Sequence, residues 1–388
     1  MSKKKEKERE ETKVGSELNY NFTSALIGRK RYRILRMFFF KERLFFRLIV
    51  LFIILAAIFY PYPRIAMWVG FTFAAYSAIA NDSIQTIGTF IASNEDRPWW
   101  QLWLYIGGIF IATVLFSWIV YDGDVSYQRL SSKGFSEAPT EFHFLQLAAP
   151  LILLIITRLR MPVSTTFLLL SAFSGSASGI ISVTQKSLLG YFVSFTMAII
   201  VWLLLGKIVN KMLKGKPHPL WRVAQWIISG ALWSVWIMQD AANIAVFLDR
   251  SLSIWGFIFF TGFIFFGLGL LFYLKGDKIQ QIVKEKSQVT DVRAASIIDL
   301  VYAIILFFFK EMSTIPMSTT WVFLGLLGGR EIAMQFSKHS STGRKSMDTI
   351  RLVLRDAFFA FIGLLISITL AILVNPNIQD ELSKYFSF

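Results

Sequence analysis

The chain has no cysteine. That excludes disulfides and thiolate metal sites, and it says nothing of compartment. Histidine is nearly absent: His143, His218 and His339 are scattered and form no metal set. No Walker motif occurs, which argues against ATP hydrolysis within the chain. No nucleophile–base pair stands out, so an enzyme is not expected. Acidic residues are in deficit: 25 Asp and Glu face 40 Lys and Arg, for a net charge of +15. Such a balance suggests nucleic acid or a membrane, and hydropathy decides for the membrane. Of 388 residues, 55% are hydrophobic and 38 are Phe. A soluble protein of this length cannot hide so much apolar surface in one core. The apolar runs are continuous rather than alternating, which excludes a β-barrel.

Apolar segments lie at roughly 44–60, 64–93, 98–121, 142–157, 163–185, 188–206, 220–248, 251–274, 294–309, 317–336 and 351–374. Many are long enough to span a bilayer as helices. The first reads as an added N-terminal helix. The other ten form two sets of five, 64–213 and 220–374, joined by the basic loop 207–219. A basic tail, 1–43, precedes them, with Arg29-Lys30-Arg31 expected near anionic headgroups. It is too long and too basic for a signal peptide's n-region. A short tail, 375–388, follows. Trp99, Trp100 and Trp103 read as interface anchors.

Basic residues collect in cytoplasmic loops. With the N-terminus inside and the segments threaded alternately, 31 Lys and Arg fall inside and six outside. Arg158, Arg160 and Lys310 depend on whether 142–185 and 294–336 are full crossings or re-entrant hairpins. The parity of crossings is the same either way. Segments 64–93 and 220–248 then run in opposite directions, so the two repeats are inverted. The N-terminus is expected in the cytoplasm and the C-terminus outside, in the plasma or inner membrane. Asn21-Phe22-Thr23 matches a glycosylation pattern, but this threading puts it in the cytoplasm.

Two polar words recur. Pro162-Val163-Ser164-Thr165-Thr166 returns as Pro316-Met317-Ser318-Thr319-Thr320. Asn81-Asp82-Ser83-Ile84-Gln85 is echoed by Gln239-Asp240-Ala241-Ala242-Asn243. One Pro-x-Ser-Thr-Thr word arises by chance with a frequency on the order of 10⁻⁵ per position at average composition. Two in register with two Asp words indicate a duplication, a mark of secondary transporters. A carboxylate inside an apolar segment is costly unless paired, solvated or protonated. Asp with carboxamide oxygens is a hard oxygen set suited to Na⁺ or a proton. Asn81, Asp82, Gln85, Gln239, Asp240 and Asn243 are therefore candidate coupling-ion ligands, and a helix break is expected near each Asp.

The Pro-x-Ser-Thr-Thr words fit helix starts, where free N–H groups and the positive dipole end favour an anion. One copy alone reads as an ordinary cap. Two copies in inverted repeats bring Ser164, Thr165, Thr166, Ser318, Thr319 and Thr320 towards one anion at the midplane. Ser171, Ser174 and Gly175 match Gly325, Gly328 and Gly329 in offset and read as small residues for close helix packing. Arg158, Arg160, Lys310 and Glu311 flank the words, either steering an anion or serving as interface charges.

These paired words resemble the inorganic phosphate transporter family of ion-coupled symporters, over roughly residues 64–374. That family carries a Gly-Ala-Asn-Asp-Val-Ala-Asn type word and a Pro-Val-Ser-Thr-Thr-His word in each repeat. Ala80-Asn81-Asp82 with Gln85 and Gly88 matches the first word, and Gln239-Asp240-Ala241-Ala242-Asn243 its second copy. The resemblance implies phosphate on the hydroxyl words and cations on the Asp words. Gln85 and Gln239 stand where the family usually has Asn, Phe167 and Trp321 where His often follows, and the second Asp word lacks the flanking glycines. The longer carboxamide leaves open a shift from Na⁺ towards H⁺, or from phosphate towards sulfate.

The expected fold is an all-α polytopic membrane protein. It has two inverted repeats of about five helical segments each, broken or re-entrant helices at the midplane, and one extra N-terminal helix. The expected function is cation-coupled symport of inorganic phosphate, with Na⁺ or H⁺ as the coupling ion and no further cofactor. A sulfate or other oxyanion permease is the alternative on the same fold, and a non-transporting anion sensor the alternative from another class. Expected partners are phosphate and the lipid bilayer, with a homodimer left open and no nucleic acid.

Overall fold

The computed structural model describes residues 43–132, 134–158, 161, 163–212, 215–274, 291–336 and 346–386. The basic tail through 42, Arg160, Pro162 and the loops 275–290 and 337–345 lie outside the described residues. The chain divides into two compact units, Met1–Leu55 and Ala56–Phe388. The first contributes most of helix α1, Arg43–Phe59, close to the expected added helix.

From Ala56 onward the regular structure among the described residues is helical, with no strand among them. Helix α2, Pro63–Ala80, starts on a proline, which suits a first turn. It ends at Asn81, and α3, Asp82–Ser93, follows at once. After α4, Trp99–Val120, a loop carries the 3₁₀ turn Arg129–Ser131. Helix α5, Phe144–Arg158, spans only about 22 Å at 1.5 Å per residue, short of a full crossing. A π turn, Thr166–Leu170, and the single turn α6, Ser171–Phe173, run back along it. Gln146 Nε2 donates to the Ala172 carbonyl at 2.9 Å and ties the two arms together. Ser164, Thr165 and Thr166 of the first word thus sit at the tip of a short hairpin.

The second half is α8, Leu220–Ala245; α9, Ile254–Tyr273; α10, Val292–Met312; α11, Thr319–Phe336; and α12, Ser346–Val374. Between the halves runs α7, Ala177–Met212, and α13, Pro376–Phe386, closes the chain. The expected tail 375–388 is therefore largely helical. Among the described residues, five helical stretches are long and apolar enough to cross a membrane: Trp99–Val120, Ala177–Leu204, Ile254–Tyr273, Val292–Met312 and Val353–Val374. Their outer faces stay apolar, with Phe192, Leu204, Phe266 and Phe307 all more than half exposed. In water that would be a liability; in lipid it is the matching surface.

Two sequence expectations need correction. The segments 163–185 and 188–206 are divided in the wrong place. The helix breaks at 174–176, where Gly175 N–H bonds the Gly134 carbonyl at 2.8 Å. It does not break at Lys186-Ser187, which lies inside α7. Lys186 Nζ donates to the carbonyls of Ser313 at 3.1 Å and Ile315 at 2.6 Å, so tertiary acceptors satisfy a charge that looked like a loop. Likewise the expected break occurs at Asn81 but not at Asp240, where α8 continues unbroken. Ala241 and Ala242 are strong helix formers, whereas Asn81 and Ser83 compete with the helix for hydrogen bonds. Ser83 Oγ bonds the Ile79 carbonyl at 2.6 Å across the break.

Helices α7 and α11 approach each other closely. A Cβ on Gly329 would strike the Phe195 carbonyl oxygen, and one on Gly325 the Tyr191 carbonyl oxygen. Two of the three small residues after the second word are thus there for backbone proximity. In the first half Ser174 and Gly175 instead make the break before α7. Tight packing at α11 fixes the hydroxyl word at its start.

Candidate functional site

Of the twelve candidate ligands in the recurrent words, eleven are buried and Gln85 is half-buried. The structure brings the four words together, and mostly crosswise. Thr319 Oγ1 donates to Asp240 Oδ2 at 2.5 Å. Asn243 Nδ2 donates to Asp240 Oδ1 at 2.5 Å and to Thr166 Oγ1 at 3.2 Å. Gln85 Nε2 reaches Thr320 Oγ1 at 3.5 Å. Asn81 Nδ2 donates to Asp82 Oδ1 at 2.9 Å, and Asp82 lies beside Thr165. Thr166 Oγ1 also bonds the Met317 carbonyl at 3.2 Å, which joins the two hydroxyl words directly. Asp82 and Asp240 are close enough to repel each other.

The serines have a different task from the threonines. Ser164 Oγ accepts from Phe167 N–H at 3.2 Å, and Ser318 Oγ from Trp321 N–H at 3.2 Å. Both are N-caps three residues before a helical amide. Ser187 Oγ in turn accepts from Ser318 N–H at 2.9 Å. Four threonine hydroxyls, rather than six hydroxyls, are therefore directed at the Asp words. Phe167 and Trp321, at the positions expected from the family to hold His, pack edge to face at 5.1 Å. They close the hydroxyl words with an apolar pair.

Among the described residues, ten buried side-chain N and O atoms have no hydrogen-bond partner, and five belong to these words. They are Asp82 Oδ2, Gln85 Oε1, Thr165 Oγ1, Gln239 Oε1 and Asn243 Oδ1. Four of the five are acceptors with no proton to give. Buried acceptors without a donor are costly, about 1–3 kcal/mol each. A cation relieves them; an anion does not. Gln239 Nε2 is anchored on the Leu306 carbonyl at 3.1 Å, which fixes that carboxamide's orientation.

Several residues that matter here were not singled out by the repeats. Arg129, counted only for charge, is buried and donates to the carbonyls of Met238, Lys310 and Ser313. With Lys186 it holds the segment leading to the second hydroxyl word. Burial lowers the Arg129 guanidinium to about 10, so it remains charged at neutral pH. Arg250 does a similar job for the other loop, bonding the carbonyls of Phe135 at 3.1 Å and Glu137 at 2.7 Å. Lys310 pairs with its neighbour Glu311 at 2.6 Å. Asp299, on α10, is a third buried carboxylate; it accepts from Thr89 and Ser229. An ionisable group within an apolar segment was the available signal.

No protein-family model matches the chain, and no curated protein matches it by sequence. The fold does match a solved structure, that of the sodium-dependent phosphate transporter. The match covers 79% of this chain and 95% of that one, with a TM-score of 0.51 and 16% sequence identity. The chain is an all-helical membrane protein that shares the fold of a sodium-dependent phosphate transporter at long sequence distance.

Proposed function

We propose that this protein is a secondary transporter that moves inorganic phosphate together with a coupling cation, Na⁺ or H⁺. The observation that carries the reading is the set of orphaned acceptor oxygens on Asp82, Gln85, Gln239 and Asn243, buried against the two hydroxyl words. The acceptors suit the cation, and Thr165, Thr166, Thr319 and Thr320 at the helix starts suit the anion. A dianion beside two carboxylates is repelled until cations screen them. Binding of the two species is then mutually dependent, which is the energetic basis of symport. The phosphate transport of the structural neighbour supports the choice of anion. In this reading the two halves cross the membrane in opposite senses, with the N-terminus in the cytoplasm and the C-terminus outside.

Radiolabelled phosphate uptake into proteoliposomes tests it. Uptake should follow an imposed Na⁺ or proton gradient. It should fall roughly 10- to 150-fold on Thr319→Val, which removes a hydrogen bond to a charged group worth about 1.5–3 kcal/mol. Uptake that ignores both gradients refutes coupling. Competition by excess sulfate, undiminished at a pH where phosphate carries one proton more, would assign the site to sulfate instead. Tight anion binding without flux would make the protein a sensor.

A further inference from the structure

Two buried cations converge on one backbone oxygen. Arg129 is 1% exposed and Lys186 is 9% exposed. Both donate to the Ser313 carbonyl, Lys186 Nζ at 3.1 Å. Two hydrogen bonds to one atom put the two charged nitrogens within about 6 Å of each other. The charges repel. The pair's other bonds also go to carbonyls: Arg129 to Met238 and Lys310, at 3.3 and 3.2 Å, and Lys186 to Ile315 at 2.6 Å. Among the described residues no carboxylate forms a salt bridge with either group. The carboxylate that acts on Arg129 is Glu311, which is exposed and already paired with Lys310. Arg250 is bound to carbonyls in the same manner, but the carboxylates of Asp124 and Asp249 both act on it.

Fastening a loop to carbonyls takes donors and one charge at most. A second buried cation on the same oxygen adds repulsion, and a carbonyl offers only a partial charge against it. Two cations at this spacing, short of a counter-charge, have the make-up of a site for an anion. Of the eight N–H bonds on the two groups, five are spent on the carbonyls, which leaves three for a ligand. The surroundings fit an approach to the central site. Thr314 is exposed, and Ser313 and Ile315 are half-buried, so this segment reaches the surface. Arg129 lies in the loop between α4 and α5, on the outer side in the threading above. Inward, Ile315 is three residues from Ser318, at most about 10 Å of chain. Ser187, next to Lys186, accepts from the Ser318 N–H at 2.9 Å.

We propose that Arg129 and Lys186 form an outer capture site for a tetrahedral oxyanion, inorganic phosphate free in solution, on the way to the second hydroxyl word. This inference rests on the transport reading above. A phosphate oxygen takes the place of the Ser313 carbonyl between the two nitrogens. The site carries its own positive charge. Unlike the central site, it therefore needs no coupling cation. That difference separates the two in an experiment. The full chain in a non-ionic detergent is titrated with phosphate by calorimetry, in alkaline choline buffer. There the ionised Asp82 and Asp240 are unscreened, and the central site rejects a dianion. Wild-type protein should still bind one phosphate. Lys186→Gln keeps a donor for the carbonyls and loses the charge, so it should weaken this binding about tenfold or more. Lys186→Arg should restore most of it, and Thr319→Val should leave it unchanged.

No phosphate binding by the wild type in choline overturns the proposal, and this measurement needs no variant to fold. Binding that survives Lys186→Gln, or that falls on Thr319→Val, overturns it as well. If Lys186→Gln fails to fold, Arg129→Gln is read in the same way. Phosphatidylglycerol added to the micelles should not change the affinity; competition by it would give the pair to a lipid headgroup and overturn capture of the free anion. In proteoliposomes Lys186→Gln should lower uptake about tenfold at low phosphate and hold the rate at saturating phosphate. Equal loss at both would show that the pair only fastens the loop. Coupled uptake without binding in choline sinks the capture site and leaves the transport reading intact. Binding in choline by a protein that moves no phosphate under either gradient sinks the transport reading and leaves the anion site standing.

Discussion

Replacing Asp82 by Asn should make the cation-free protein more stable while removing its response to the cation. Asp82 is 2% exposed; one oxygen accepts from Asn81, and beyond that only the neutral Thr165 hydroxyl lies beside the carboxylate. Asp240 repels it, and no Lys or Arg pairs with it among the described residues. Holding such a carboxylate ionised costs several kcal/mol, and a neutral isostere should recover part of that. The bound cation loses more. One unit charge at 4 Å and an effective dielectric constant of 20 is worth about 4 kcal/mol, or roughly a thousandfold in affinity. The assay is a melting curve followed by the fluorescence of the 12 tryptophans, in alkaline choline buffer and then with rising Na⁺. Wild-type protein should gain about 2.7 kcal/mol at a hundred times Kd. The variant should start higher and stay flat. If a proton is the coupling ion, acidification should give the shift in place of Na⁺, and the variant should flatten that response. A variant that starts lower than wild type, yet keeps the full shift, would show that Asp82 is a structural residue and no ligand.

Gly329→Ala should lower the melting temperature and uptake together, because the added methyl meets the Phe195 backbone and overpacking costs about 1–3 kcal/mol. Gly108→Ala, where a Cβ meets nothing within 4 Å, is the matched control. Asp291 caps α10 by accepting from Arg293 N–H at 2.8 Å, and its bonds to Arg293 hold its carboxyl below the ordinary range. The unfolded chain therefore binds the proton first as pH falls, so this stabilisation is complete above the ordinary carboxylate range and is lost below it. Asp291→Asn keeps the cap and should remove that part of the acid sensitivity of melting, whereas Asp291→Ala should also lose about 1 kcal/mol at neutral pH. Cysteines placed at Ser131 and at Gly215 should react with an impermeant thiol reagent from opposite sides of the membrane, and labelling from the same side would break the inverted threading.

Repetition is what made the centre of the site legible. Asp82 and Asp240, with the threonines near them, stood out because each came twice at nearly one spacing. The same filter passed over Asp299, because the residue at the same distance before the first hydroxyl word is Leu145. Lys186 was misread for a physical reason. Its acceptors, the carbonyls of Ser313 and Ile315, lie more than 120 residues away, and a local reading of polarity sees only a loop. A break near each Asp was expected because segments 64–93 and 220–248 are longer than one span needs. Length does not distinguish the two: Asn81 and Ser83 compete with the helix and it breaks there, whereas Ala241 and Ala242 carry α8 past Asp240. The serine caps show a further limit: composition marks three hydroxyls in a row, but backbone geometry decides that the first serves its own helix and the threonines face across.

The joint at Asn81 has no twin, and that changes how the two carboxylates can move. A continuous rod such as α8 carries any displacement of Asp240 along its length towards Leu220. A jointed one does not: α3 can swing Asp82 and Gln85 while α2 keeps its place against the aromatic rings of Phe259 and Phe260. The same ligand type is thus mounted once on a lever and once on a post. If the protein transports as proposed, the two Asp words are then unlike parts, one carried on a jointed helix and one on a continuous one.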